Sequence, residues 1–331
     1  MGTAQRIIFE IADGSFYSGS ELGLRLGVSR ATINNYMQKL SEFGLDIYSV
    51  PGKGYKLASP LELLEEQSML EYLCHSSRQL ISQIEIKFQL SSTNSYLMSL
   101  SRAEPHSTGA VCFAEMQTSG RGRRGKPWVS PIGENLYVSV LWRFQQAPED
   151  LACLGLAMAV AVVRATNRLG LEDVKIKWPN DVYLNGGKMG GILLEMMGES
   201  RGPCSVVVGV GLNISMNSEL RHQIDQKWTA MAHHLSEKVS RNKVAGIVLD
   251  ELMLALEEFQ QYGFESFQAE WLQHDLVKDK QITIGMDGGI VVGLARGIDE
   301  SGALLVERNG GVERFFHGEV SVRLDSLSEN E

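Results

Sequence analysis

The chain offers little for metal-centred or disulfide chemistry. Its four cysteines (Cys74, Cys112, Cys153 and Cys204) lie far apart with no C-x-x-C pair. That spacing argues against a zinc ribbon or a disulfide framework and suits reduced thiols. The seven histidines form no H-x-x-x-H pair, and the adjacent His233-His234 reads as two surface side chains pointing apart. No G-x-x-x-x-G-K-S/T segment occurs, which excludes a Walker A loop. The opening Met1-Gly2-Thr3-Ala4-Gln5-Arg6 has no signal-peptide pattern, and Arg6 stands where myristoylation needs Ser or Thr. The longest apolar run, Leu151 to Val163, is too short to span a membrane and reads as a buried helix. A cytoplasmic protein with no membrane partner is expected. Cations are also in deficit: 31 Lys and Arg face 40 Asp and Glu, for a net charge of -9. With 44% hydrophobic and 21% charged residues over 331 positions, this is an ordinary globular composition with room for two or three domains.

Against that acidic background, Gly120-Arg121-Gly122-Arg123-Arg124-Gly125-Lys126-Pro127-Trp128 packs three glycines and four cations into nine residues. Local positive charge on an acidic body points to a bound anion, and the glycines let backbone amides approach it and leave the loop able to move. The same residues spell G-x-G-x-x-G, but a dinucleotide fingerprint needs a helix opening on the loop and an acid about 20 residues on. Pro127 and Pro131 oppose that helix, and the segment around Leu141-Trp142-Arg143 is a strand pattern with no acid. A second cluster, Lys175-Ile176-Lys177-Trp178-Pro179-Asn180-Asp181, precedes Gly186-Gly187-Lys188-Met189-Gly190-Gly191. Together the two clusters predict chemistry on a phosphate-bearing substrate with a metal nearby.

The pattern divides into three parts. In the first, Ile7, Ile8 and Ile11 recur at helical spacing, and Ser18-x-x-Glu21 is a capping box for a helix that ends at Gly27. Ser29 caps a third helix to about Phe43, with Ile33, Met37 and Leu40 as its buried stripe. The opposite face carries Arg30, Ala31, Thr32, Asn34, Asn35, Gln38 and Lys39, the residue types that read base edges and phosphates. A hairpin around Pro51-Gly52-Lys53-Gly54 follows as a wing that carries Lys53. Residues 1–60 hold six cations against five anions, so the rest of the chain totals 25 against 35. The pattern predicts a winged helix-turn-helix, weakly basic, with modest DNA affinity strengthened by dimerisation; a protein-interaction winged helix is the alternative.

The second part alternates strand and helix patterns irregularly, which predicts an α/β domain with a mixed sheet rather than a doubly wound one. Strands are expected at Ile84 to Phe88, Val111 to Met116, Leu136 to Trp142, Val174 to Lys177, Val182 to Leu184, Gly191 to Met196 and Val206 to Val210. Helices are expected from Thr93, over Leu151 to Leu169 and over Val244 to Phe259. The third part, short β runs at Ile282 to Ile284, Ile290 to Ala295, Ala303 to Glu307 and Gly318 to Leu324, predicts a small β-barrel. The expected domains are 1–62 (winged helix), 66–275 (α/β, catalytic) and 276–326 (an SH3-like barrel).

Over essentially its whole length the chain resembles the bacterial bifunctional biotin–protein ligase and biotin-operon repressor family. The resemblance rests on Gly120 to Trp128, Lys177-Trp178-Pro179-Asn180-Asp181 and Lys188-Met189-Gly190-Gly191. Ser92-Thr93-Asn94, Gln117, Gly209-Val210-Gly211-Leu212-Asn213 and Arg296-Gly297-Ile298-Asp299 add to it. It implies formation of biotinyl-5′-AMP from biotin and ATP, with Mg²⁺, then transfer of biotin to a lysine of the biotin carboxyl carrier domain of acetyl-CoA carboxylase. It further implies repression at operator DNA by a homodimer that biotinyl-5′-AMP promotes.

By the same resemblance Ser92, Thr93, Asn94, Gln117, Arg121, Gly122, Arg123 and Lys188 bind biotin, with Arg121, Arg123 and Lys188 catalytic. Trp228, Asn213 and Arg323 meet the nucleotide. Asp181 is a candidate metal or ribose partner, with Asn213 a second metal candidate, and Trp178 is core or pocket wall. Three other readings stand beside this one: a ligase without repression, a regulator that binds an acyl-adenylate without transferring it, and a lipoyl-type ligase.

Overall fold

In the computed structural model, residues 2–42, 44–198, 202–216, 219–286, 289–316 and 321–324 are described, with the backbone alone at 219, 220, 286 and 321–324. Helices α1 (Thr3–Ile11), α2 (Gly19–Leu26) and α3 (Arg30–Glu42) form the amino-terminal part with the hairpin β1 (Ile47–Val50) and β2 (Gly54–Leu57). The Ser18 hydroxyl accepts from the Glu21 amide at 3.0 Å, and Gly27 closes α2 in the left-handed conformation (φ 69). Ser29 Oγ accepts from the Thr32 amide at 3.0 Å, which starts α3. Ile33, Met37 and Leu40 are buried as their spacing predicts, and the opposite face is open.

This small core does not close on itself. Ile7, Ile8, Ile11, Leu22, Leu26, Ile33, Met37 and Leu40 join one cluster with Leu63, Met116 and Ile132, so the winged helix shares its interior with the next domain. The connecting chain is also fixed by polar contacts. The buried Arg241 guanidinium donates to the Glu62 carbonyl, to Glu115 Oε2 (2.9 Å) and to the Asn135 carbonyl (3.0 Å). Glu115 in turn accepts from the Leu64 amide, and Asn242 Nδ2 donates to the Leu63 carbonyl at 2.9 Å.

The central domain begins with two short helices, α4 (Glu66–Leu70) and α5 (His75–Leu80). There follow β3 (Gln83–Leu90), α6 (Thr93–Ala103), β4 (Ala110–Gln117), β5 (Leu136–Phe144) and α7 (Leu154–Arg168). The chain continues through β6 (Lys175–Lys177), β7 (Asp181–Leu184), β8 (Gly187–Gly198), β9 (Cys204–Leu212), α8 (Arg241–Tyr262) and α9 (Glu265–Gln273). The seven strands lie in the order β3-β4-β5-β9-β8-β7-β6, with β3–β4 parallel and the other pairs antiparallel, a mixed sheet as expected. The apolar run that reads as a single helix from Leu151 splits into a 3₁₀ turn (Pro148–Leu151) and α7, which is apolar on nearly every side because it lies in the core. Helices α4, α5 and α9 are too short or too weakly periodic to announce themselves.

Strand β8 pairs with β7 only as far as Gly191, while it pairs with β9 to Gly198. Among the described residues its far half therefore has one free edge.

Strands β10 (Gln281–Met286), β11 (Gly289–Ile298), β12 (Leu304–Arg308), β13 (Gly311–Phe315) and β14 (Ser321–Leu324) form the antiparallel carboxy-terminal sheet, in the order β13-β12-β11-β10-β14. The last expected run, Gly318 to Leu324, is strand only from Ser321 among the described residues, and β13 is an additional strand. The domain packs on the central core, and Trp178 Nε1 donates to the Gly302 carbonyl at 3.0 Å.

Candidate active site

Two glycines make the floor of the main cavity. A Cβ at Gly209 on β9 would stand 2.1 Å from Asn94 Oδ1, and one at Gly211 would stand 2.7 Å from the Trp128 ring. Only glycine lets the amino terminus of α6 and the indole lie this close to the sheet. Ser92 is the N-cap of α6. The Thr93 amide donates to Gln117 Oε1 at 2.9 Å, and the Ser139 hydroxyl lies 2.6 Å from Asn94 Oδ1 and 2.7 Å from Thr93 Oγ1. A ring of fixed amides and hydroxyls results, suited to a neutral ligand with both donors and acceptors.

The cationic loop forms the opposite wall. It closes on itself through the Gly122 amide to the Lys126 carbonyl (2.7 Å) and the Trp128 amide to the Gly120 carbonyl (2.9 Å). Arg121 is committed to protein partners: Nη1 donates to Ser95 Oγ at 2.7 Å, and Nη2 lies 2.8 and 2.9 Å from the two oxygens of Glu195. Arg123 differs. Loss of hydration lowers its pKa, with Asp181 acting the other way and Arg124 adding to the lowering. A partly dehydrated guanidinium in a cleft is prepared for an anionic ligand.

Lys188, on β8, places Nζ 2.7 Å from Asp181 Oδ1 and 5.6 Å from the centre of the Trp128 ring. Its amide donates to the Lys227 carbonyl (3.1 Å), and its carbonyl accepts from the Thr229 amide (2.9 Å), so Lys188 and Trp228 are held side by side. Asn213 is buried; its amide donates to the Met189 carbonyl at 2.8 Å and its Nδ2 to the Thr229 carbonyl at 3.1 Å. Trp178 proves to be both core and wall, 1% exposed yet lining the cavity. Burial, with Asp181 nearby, pushes the Tyr183 hydroxyl up to about 12, so this wall residue stays a donor.

The cavity has a volume of about 750 Å³. Six Lys and Arg side chains line it against two carboxylates, Asp181 and Asp225. Ser92, Thr93, Asn94, Gln117, Arg121, Gly122, Arg123, Asp181, Lys188, Asn213 and Trp228 all meet there. Arg323 lies on β14, but its side chain is outside the described residues. Sequence reasoning did not single out Glu195, Ser139 or Ser95, which look like ordinary strand and helix positions. His233 ends a 3₁₀ turn (Met231–His233), His234 follows it, and both reach Thr229.

The residues expected to face DNA lie on α3 and on the wing. Arg30, Ala31, Asn35, Gln38, Lys39 and Lys53 are exposed, and Thr32 is half-buried against Ser29. Tyr55 on the wing donates to Asn34 Oδ1 at 2.9 Å, joining wing and helix. Lys53 and Lys56 lie 5.7 and 5.1 Å from the ring centre of Phe16.

No helix among the described residues is long and apolar enough to cross a membrane.

Family models match at three places: a biotin/lipoate A/B protein ligase family over 85–213, a helix-turn-helix domain over 4–56 and a biotin protein ligase carboxy-terminal domain over 279–323. The chain is 37% identical over 318 residues to the bifunctional ligase/repressor BirA of Escherichia coli, which covers 96% of both chains. It is 28% identical over 320 residues to the BirA of Bacillus subtilis, covering 95% of this chain and 96% of that one. Among solved structures it is similar to the biotin protein ligase of Aquifex aeolicus in complex with biotin and ATP. There the TM-score is 0.63 at 26% identity, over 74% of this chain and 100% of the other.

Proposed function

Because the chain belongs to the biotin protein ligase family in its bifunctional ligase/repressor form, we propose that its main cavity carries out both steps of biotin transfer and controls the DNA-binding domain. In the first step a biotin carboxylate oxygen attacks the α-phosphorus of ATP and pyrophosphate leaves, giving biotinyl-5′-AMP. In the second, a lysine amine of the carrier domain attacks the anhydride carbonyl; AMP leaves, and the amine proton passes to solvent.

The observation that carries this reading is the cationic cavity of a protein with net charge -9: six Lys and Arg, one of them neutralised by Glu195, against Asp181 and Asp225. Adenylation concentrates negative charge from a carboxylate and a triphosphate at one place, and fixed cations lower its cost. Lys188 and Arg123 supply them, while Arg121, already neutralised by Glu195, shapes the wall. Ser92, Thr93, Asn94 and Gln117 receive the ureido ring. Trp228 covers the base, and Asn213 fixes the wall behind the nucleotide. Arg123 lies beyond the root of the glycine loop and closes over the adenylate, keeping water from the anhydride.

Among the described residues no group of three or more His, Cys, Asp or Glu can hold a metal by itself. That fits Mg²⁺ arriving on ATP, since this ion keeps most of its waters and binds through phosphates and one or two carboxylates. Asp181 would hold it, and the ion would offset charge on the phosphates. The carrier domain of acetyl-CoA carboxylase is the acceptor we assign.

On the regulatory side, the exposed face of α3 and the wing meet operator DNA as a two-fold pair, since a barely basic domain needs two copies for a firm grip. The free edge of β8 supports a dimer that extends the sheet, favoured by biotinyl-5′-AMP because the ordered loops lie beside it. Incubation with labelled biotin, ATP and carrier domain, beside the same mixture with lipoate, tests the ligase. Transfer of lipoate but not biotin would overturn that assignment. Sedimentation with and without biotinyl-5′-AMP, followed by operator titration, tests the regulation. A dimerisation constant indifferent to the adenylate would leave a ligase without repression.

A further inference from the structure

We infer that Glu195 is a positioning residue for the biotin site, resting on the reading above that this cavity takes biotin. Glu195 stands on β8, and its carboxylate joins two walls that come from distant parts of the chain. One oxygen accepts from Asn94 Nδ2 at 2.8 Å, and both oxygens receive Arg121 Nη2 at 2.8 and 2.9 Å. The Asn94 amide donates further to the Leu193 carbonyl at 3.3 Å, and Arg121 Nη1 donates to Ser95 Oγ at 2.7 Å. The amino terminus of α6, the root of the cationic loop and β8 are therefore tied at a single carboxylate.

A mere surface ion pair does not explain this arrangement. Both partners keep about a third of their side-chain surface (32% and 27%), and pairs that wet contribute little to global stability. Charge-assisted bonds from two directions do fix geometry. Asn94 has its carbonyl oxygen 2.6 Å from the Ser139 hydroxyl and its amino group on Glu195, so the orientation of its amide is set by these two neighbours.

The loop shows the same division of labour. Arg121 pairs with Pro127 where the loop closes, whereas Arg124 (φ 55), Gly125 (φ 70) and Lys126 at its tip are exposed. In the closure proposed above, Glu195 holds the root while the tip with Arg123 moves. A pinned root makes closure a hinge motion about a fixed point rather than an ordering of the whole segment, which lowers the entropy lost when ligand binds. The neutralised Arg121 is then a wall, and the cationic role stays with Arg123 and Lys188.

The test uses full-length protein, calorimetric titration with biotin, single-turnover adenylation and the rate of release of biotinyl-5′-AMP. Glu195→Gln keeps the shape but loses the charge. We expect its biotin affinity to fall and adenylate release to rise roughly tenfold, the scale of one charge-assisted hydrogen bond. The loss should appear in KM more than in kcat, since the carboxylate touches no reacting atom. Ser95→Ala, which loosens Arg121 from its other side, should act in the same direction with a smaller effect. In a double-mutant cycle, Arg121→Gln with Glu195→Gln should lose less than the sum of the two single losses, and what Glu195→Gln still costs there is its contact with Asn94. Wild-type affinity and adenylate retention in Glu195→Gln, or fully additive losses in the pair, would overturn the inference. Failure of the wild-type protein to bind biotin would instead sink the parent assignment, and the same titration separates the two.

Discussion

Lys188 Nζ and Asp181 Oδ1 lie 2.7 Å apart on neighbouring strands, β8 and β7. The cation proposed to meet developing charge at a phosphate is thus held beforehand by a carboxylate of the same cavity. The pair orients the ammonium without burying it, since 15% and 22% of the two side chains remain exposed. In the adenylation proposed above, an incoming carboxylate and triphosphate would compete with Asp181 for the ammonium.

Lys188→Ala is therefore expected to slow adenylation by roughly a hundredfold or more, the usual cost of one electrostatic contact to the reacting group. Biotin affinity should change far less, because the interaction grows with the transition-state charge. Single-turnover formation of biotinyl-5′-AMP measures the first and equilibrium titration the second. Near wild-type adenylation would remove Lys188 from the reaction.

Arg123→Gly acts on retention. Without the guanidinium the loop tip loses its hold on the adenylate, which should leave the cavity and modify bystander lysines. Mass spectrometry of an added inert protein detects the stray biotin, and a variant as selective as wild type would refute closure by Arg123.

Asp275 gives a pH dependence. Burial pushes its carboxyl up to about 6, only partly offset by the Val277 and Lys278 amides and the nearby lysines Lys278 and Lys280, and among the described residues Oδ2 has no partner. A folded pKa above the unfolded value favours the folded state fully at low pH, and the benefit is lost as pH rises through about 6. Asp275→Asn should match wild type near the unfolded carboxylate range and exceed it above pH 7, by roughly 1–3 kcal/mol given ~1.4 kcal/mol per pKa unit. Urea denaturation at both ends of the range checks it. A difference that does not vary with pH would show that Asp275 titrates normally.

Arg241→Met should be costly for a different reason. It leaves Glu115, 3% exposed, without its cation and strips the hydrogen bonds to the carbonyls of Glu62 and Asn135. Breaking one side of a buried pair costs about 3–5 kcal/mol. Adding Glu115→Gln should recover part of the loss in chemical denaturation, and no recovery would mean that the carboxylate was not the source.

How much of this could be read from the chain depended on distance along it. The stripe Ile33, Met37, Leu40, the cap at Ser18 and the cationic loop are local patterns, and each appears where its spacing places it. The mixed sheet was also legible, since its strands are runs of Val and Ile separated irregularly. Glu195 was not, because in Ile192 to Met197 it is one polar residue in an ordinary strand, and its partners Asn94 and Arg121 are 101 and 74 positions away. Glu115 and Arg241, 126 apart, escaped for the same reason. Nor could spacing show that Arg121 and Arg123, two residues apart in one loop, face opposite fates.

The shared interior of the winged helix has a bearing on how this protein can be taken apart. Met116 lies in that interior while Gln117, its neighbour on β4, lines the ligand cavity. Cutting the chain after residue 60 would not yield a clean minimal enzyme. It would bring Met116, Ile132 and Leu63 to the surface as an apolar wound beside the cavity wall, prone to self-association. The two activities are grafted rather than strung together, and a single-purpose derivative would need new polar side chains at those three positions before it could stand alone.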